Sequence, residues 1–118
     1  MPNVESIAPQ FFVEDLRRSV EWYVRVLGFA VAFQSEDYAG VRLGPASIVL
    51  LQVGPAATGH YEGACHLRIG SGIDDYIAQI EATGQALTAT LKDRLGYGMR
   101  EATVRDPDDN VIYIGQEM

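Results

Sequence analysis

The sequence predicts an α+β domain made of two βαβββ modules, and three observations carry that prediction. Leu16, Val20, Tyr23 and Leu27 form an apolar helical stripe after an opening strand, and Gly28 follows where a helix would stop. A second strand–helix unit begins at Cys65, with Ile73, Ile77 and Ile80 on one side of the helix and Gly84 at its end. Overlaying Leu16 on Ile73 pairs Val20 with Ile77 and Tyr23 with Ile80, so the two stripes stay in phase. Three short strand patterns follow each helix. Such a repeat builds a concave sheet from two halves, and the residues lining it decide the function.

The elements read in order as follows. Ile7 to Val13 is a strand in which Pro9, Phe11 and Val13 share one face, and Ala8, Gln10 and Phe12 the other. Asp15 is placed as a helix N-cap. Phe29 to Gln34 is a strand, Ser35-Glu36-Asp37 a turn, and Tyr38–Leu43 with Ser47–Val53 a hairpin around Gly44-Pro45. Gly54 to Gly63, rich in Gly, Ala and Pro, connects the halves, with module one spanning about residues 1–59 and module two about 64–118. In the second half, Cys65–Ile69 is a strand, Asp74 caps or opens a helix running from Ile73 to Thr83, and Ala86–Lys92 is a strand. Asp93–Gly98 is then a loop and Arg100–Arg105 a strand. Asp106-Pro107-Asp108-Asp109-Asn110 is a turn in which Pro presets φ and Asp or Asn bonds locally, and Val111–Gly115 is the last strand.

Composition sets the class. At 118 residues, with 47% hydrophobic and 21% charged, the chain suits one globular core. Its apolar runs are far shorter than the roughly 18–20 residues that span a bilayer. The start, Met1-Pro2-Asn3-Val4-Glu5, lacks the basic and apolar regions of a secretory signal. A single cysteine fits a reducing compartment, so the expected location is cytoplasmic. The net charge of −7 and a single lysine disfavour nucleic acid as a partner.

The opening Val13-x-Asp15-Leu16-x-x-Ser19-x-x-x-Tyr23, with Leu27-Gly28-Phe29, and the ending Asp106-Pro107-Asp108-x-Asn110-x-Ile112 resemble the vicinal oxygen chelate superfamily. That superfamily holds glyoxalase I, fosfomycin-resistance enzymes, extradiol dioxygenases and bleomycin-resistance proteins. The bleomycin-resistance group is the most similar, through Val20-Glu21-Trp22-Tyr23, Glu36-Asp37-Tyr38-Ala39-Gly40-Val41 and Gly98-Met99-Arg100-Glu101. The resemblance implies a cupped mixed sheet completed in a homodimer, with ligand clefts at the subunit interface and sequestration in place of turnover.

Enzymes of that superfamily hold a divalent metal through His, Glu or Gln on the first and last strand of each module. The resemblance puts Ala8, Leu50 and Tyr113 at three of those positions, none of them a usual ligand. At the fourth, a gapless overlay of the halves gives Cys65 and a one-residue shift gives His66. Alternation favours His66, because the other register would press Arg68 against the helix. One imidazole with one phenol is too few donors for a metal site, so no metal and no cofactor are expected.

The expected ligand wall, from alternation and resemblance together, is Phe33, Tyr38, Leu50, Gln52, His66, Arg68 and Tyr113, with Gln10, Phe12 and Ile48 beside them and Tyr61 and Tyr97 on the rims. Aromatic walls with a few polar groups suit a small-molecule ligand, here an aromatic or cationic peptide antibiotic. The competing reading is a glyoxalase- or dioxygenase-like enzyme, metal-dependent or metal-free, and a third is a regulatory domain with a vestigial cleft. Cys65 cannot act with His66 as a nucleophile–base pair, since neighbouring strand residues point to opposite faces.

Overall fold

The computed structural model describes residues 1–55 and 62–118. Module one consists of β1 (Gln10–Val13), α1 (Leu16–Arg25), β2 (Ala30–Gln34), β3 (Tyr38–Leu43) and β4 (Ala46–Gln52). Module two repeats the plan with β5 (Ala64–Arg68), α2 (Ile73–Ala82), β6 (Ala89–Arg94), β7 (Met99–Arg105) and β8 (Val111–Glu117). Each module forms its own four-stranded sheet, in the orders β1-β4-β3-β2 and β5-β8-β7-β6. The outer pairs β1–β4 and β5–β8 are parallel and the rest antiparallel. A parallel pair needs a crossover, and the helix of each module lies on it.

The helix ends show how closely the halves match. Asp15 caps α1 by accepting the Arg18 N–H at 3.1 Å. Gly28 sits at φ 76° beyond the other end, and the Phe29 N–H bonds the Tyr23 carbonyl at 3.0 Å, closing the last turn. In both modules a glutamine from the last strand reaches the first helical N–H: Gln52 Oε1 accepts from Leu16 at 2.8 Å, and Gln116 Oε1 from Ile73 at 3.0 Å. These twin bonds fix the internal correspondence of the repeat.

Strands β1 and β6 both begin three residues later than the sequence suggests, and β6 runs on through Asp93 and Arg94, where a loop was expected. The first strand begins at Gln10 and not at Ile7, because the pairing with β4 starts only at Gln10 opposite Val49. Pro9 has no N–H to donate, and the chain before it peels away until Ile7 is 91% exposed. Helix α2 starts at Ile73 as expected, but Gly72 precedes it at φ 86° with no side-chain cap, so of the two roles read for Asp74 it opens the helix and does not cap it. Asp74 and Asp75 lie in the first turn, where carboxylates favour the positive end of the helix dipole.

Both helices bury their apolar stripes against one face of their sheets, and a single core joins the modules. Between the modules, the buried Tyr23 hydroxyl donates to Asp106 Oδ2 at 2.8 Å and Trp22 Nε1 to Gln85 Oε1 at 2.9 Å. Asn110 closes the seam from the far side. It donates to the Phe12 carbonyl at 3.2 Å and accepts the Gly63 N–H at 2.7 Å. Among the described residues no helix is long and apolar enough to cross a membrane.

Candidate functional site

Strand pairing decides which side chains stand on the face that the helices leave open. In the first sheet Phe11 pairs with Leu50 and Ala39 with Leu50, and all three are buried under α1. Directly paired residues share a face, so Gln10, Phe12, Val49, Leu51, Tyr38 and Gly40 point the other way. Phe33 joins them opposite Gly40, across a register shift in β2. Its ring packs edge-to-face on Tyr38, with centroids 5.7 Å apart at 64°.

Gly40 is what lets that ring lie down. A Cβ there would sit 2.3 Å from a Phe33 ring carbon. Gly40→Ala is therefore expected to swing the half-exposed ring outward, at a stability cost under about 1 kcal/mol, since an exposed side chain can yield. Loss of the nuclear Overhauser contacts between Phe33 and Tyr38 checks the displacement; retained contacts would show that the ring rests elsewhere.

Three residues expected on the wall are not there. Leu50 has no exposed surface and Ile48 only 4%. Gln52 spends its side chain on the N-terminus of α1. The β4 register is one residue away from the expected one, so Val49 and Leu51 take the open positions. Val49 thus replaces Leu50 at the position where the resemblance implied a metal ligand, and it has no donor either.

The second sheet presents a different chemistry. His66 pairs with Tyr113 and Arg68 with Gly115, while Leu67 between them is buried. The His66 imidazole and Tyr113 ring stack at 4.9 Å and 19°. They form one wall of a cleft of about 160 Å³ that also touches Arg68, Tyr97, Met99 and Glu101. The Tyr97 hydroxyl donates to Glu101 Oε1 at 3.1 Å, and Arg68 pairs with Glu117 at 3.1 Å. Both ion-pair partners are well exposed, so the pair orients more than it stabilises. Gly115 forms part of the lining, where a Cβ would come within 2.8 Å of the Met99 side chain.

Of the sequence-expected residues, His66, Arg68, Tyr97 and Tyr113 come together in this cleft. Phe33 and Tyr38 form a separate pair on the first sheet. Tyr61 lies outside the described residues. Glu101 and Met99 were not expected in the wall, although alternation along β7 from Thr103 would have placed both on the open face. Cys65 turns toward the helix side, and burial, with the Asp106 charge adding, pushes its thiol up to about 11, so it stays protonated and unreactive at neutral pH.

In the observed register the four strand positions are Gln10, Val49, His66 and Tyr113, so Gln10 takes the place expected for Ala8 and only one amide and one imidazole of the usual ligand types are present. Among the described residues no three of His, Cys, Asp and Glu are grouped to hold an ion.

A family model described as the Glyoxalase/Bleomycin resistance protein/Dioxygenase superfamily matches residues 6–114. The chain belongs to that superfamily. Among solved structures of this fold, TioX from Micromonospora sp. ML1 is 22% identical with a TM-score of 0.79, over 96% of this chain and 99% of that one. The fosfomycin resistance protein FosX from Listeria monocytogenes is 13% identical with a TM-score of 0.74, over 100% and 95%. A lactoylglutathione lyase from Agrobacterium tumefaciens is 15% identical with a TM-score of 0.75, over 97% and 95%. No curated protein matches the chain. Fold relatives within the superfamily thus include a lyase and a resistance protein, so the side chains of the open faces have to discriminate function.

Set side by side through the twin glutamines, those faces are chemical opposites. Tyr38 corresponds to Glu101, because each pairs with the residue just before its sheet's glutamine: Tyr38 with Leu51, and Glu101 with Gly115. Phe12 likewise corresponds to Arg68, and Val49 to Tyr113. One face of this superfamily member is apolar and aromatic, the other polar and ionisable.

Proposed function

We propose that this chain is a small-molecule binding protein that sequesters an antibiotic or similar aromatic natural product, without a metal, in a cleft completed in a homodimer. The observation that carries the reading is the pairing of opposite faces. Phe33 and Tyr38 offer ring surface for stacking, while His66, Arg68, Glu101 and Tyr113 offer donors and acceptors to orient a polar arm. Stacking contributes about 0.5–1.5 kcal/mol per ring pair beyond area burial. A few fixed polar groups in an otherwise apolar wall are the usual make-up of a ligand site. The resemblance of Glu36-Asp37-Tyr38-Ala39-Gly40-Val41 and Gly98-Met99-Arg100-Glu101 to the bleomycin-resistance group supports the same reading, and the net charge of −7 favours a cationic ligand.

The test is calorimetric titration of chelator-treated protein with bleomycin-type and quinoxaline-type antibiotics. Phe33→Ala and Tyr113→Ala are each expected to weaken binding about fivefold to tenfold, the loss of one ring contact. Binding of about one ligand per subunit, indifferent to chelation, supports sequestration. No heat from any drug, with turnover of a small substrate restored by added metal, would overturn it in favour of an enzyme of the same superfamily.

A further inference from the structure

A second cavity, of about 240 Å³, opens at the seam between the modules, walled by Pro9, Phe29, Ala46, Ile48, Cys65 and Ile112. Its origin is the early end of β1. Strand β4 starts at Ala46, but its first partner in β1 is Gln10 opposite Val49, so the segment from Ala46 to Ile48 has no β1 neighbour. The opposite end of the seam is plugged by the Phe11 ring over Gly63 and by Asn110. Carboxylates and guanidinium groups are absent from the described lining; Ser47, His66 and the protonated Cys65 thiol are its polar members.

The same cavity touches His66 and Leu67, and both also line the cleft of the second sheet. The two spaces are therefore separated by the His66–Leu67 segment, with polar groups on one side and an apolar chamber on the other. We propose that the seam cavity is the apolar chamber of the ligand site, taking a one- or two-ring group, or a short alkyl end, of a ligand whose polar part lies across His66 in the cleft. This rests on the small-molecule binding reading and adds to it the ligand's shape: an amphiphile with a neutral apolar end. Size and chemistry agree, since an apolar cavity of about 150 Å³ stays dry and takes up benzene. The occupant follows from adjacency to the cleft across His66 on the edge strand β5, and from the uncharged wall, which would leave an ionic group unpaired.

The probe is indole, a neutral two-ring molecule, titrated into protein carrying 13C-labelled isoleucine δ-methyl groups. Saturable shifts are expected at Ile7, Ile48 and Ile112, which line the chamber, with Ile77 and Ile80 unmoved. Ala46→Phe fills the space and is expected to weaken indole at least tenfold; Cys65→Leu, a smaller filling change, gives the same direction should the first variant fail to fold. Absence of saturable shifts, or equal affinity in a folded filled variant, overturns the chamber. Failure of the chamber alone leaves antibiotic binding intact and sensitive to Tyr113→Ala. Failure of the sequestration reading instead shows as indole binding with no antibiotic binding at all.

Discussion

Asp106→Ala is expected to cost about 3–4 kcal/mol of stability, because it strands several buried donors that each cost about 1–3 kcal/mol when unsatisfied. The carboxylate is 4% exposed and is the hub of the turn that joins β7 to β8. It accepts the Tyr23 hydroxyl at 2.8 Å, the Asn110 side-chain amide at 2.9 Å, and the backbone N–H groups of Asp108 and Asn110 at 2.9 Å each. Asp108 is partly exposed and water can serve it, so Tyr23 and Asn110 bear the loss. Tyr23 belongs to module one and Asn110 also ties β1 to Gly63, so the change loosens the seam as well as the turn. A fall in melting temperature on the order of 10 °C is the readout. A fall of under 3 °C would mean that the modules hold together without this clamp.

The same residue gives stability a pH dependence with a definite sign. Burial raises the Asp106 pKa above its ordinary value, while the bonds from Asn110, Tyr23 and Asp108 pull it partway back. Between the unfolded and the raised folded pKa, the folded state holds more proton than the unfolded one, so stability falls as pH rises. The Asp106 contribution is thus most favourable below the unfolded value and is reduced once pH passes the folded one. Measured against Asp106→Asn, which cannot titrate, the wild type should lose relative stability as pH rises from about 4. A relative gain over that range would show that the hydrogen bonds outweigh burial.

What the sequence makes legible here is what periodicity and local chemistry specify. The two helical stripes repeat in phase, Gly28 and Gly84 both have positive φ, and Asp15 caps its helix, because each depends on residues within one turn. In module two the placement of His66 and Arg68 is readable because Arg68 resists burial and so breaks the tie between registers. Strand β4 offers no such marker. Ala46-Ser47-Ile48-Val49-Leu50-Leu51 is apolar on both faces apart from one serine, and a short apolar run does not reveal which face it buries. Its register is set from outside, by the parallel pairing with β1 and by Gln52 reaching Leu16, and both contacts lie more than thirty residues away in sequence. The contribution of Glu101 to the cleft was hidden for a similar reason: a lone glutamate on a strand is ordinary until its neighbours Tyr97, Gly115 and Tyr113 are known.

That register makes Leu50 and Leu51 a decisive pair. The two differ by one position and carry the same side chain, so hydrophobicity and size cancel in their comparison. Leu50 is fully enclosed among core residues from β1, β3 and α1, and Leu50→Ala leaves a cavity costing about 2–5 kcal/mol. Leu51 pairs with Phe12 and Tyr38 on the open face, where truncation costs under about 1 kcal/mol because little surrounding structure must close around the gap. Binding should invert the order. Leu51→Ala removes apolar surface beside the Phe33–Tyr38 pair and weakens the ligand, whereas Leu50→Ala leaves affinity unchanged once the smaller folded fraction is allowed for. Denaturant unfolding of both variants, followed by titration with the antibiotic that binds the parent, separates the two effects. Equal unfolding costs, or affinity lost in Leu50→Ala alone, would put Leu50 back on the cleft wall and reverse the faces of the first sheet.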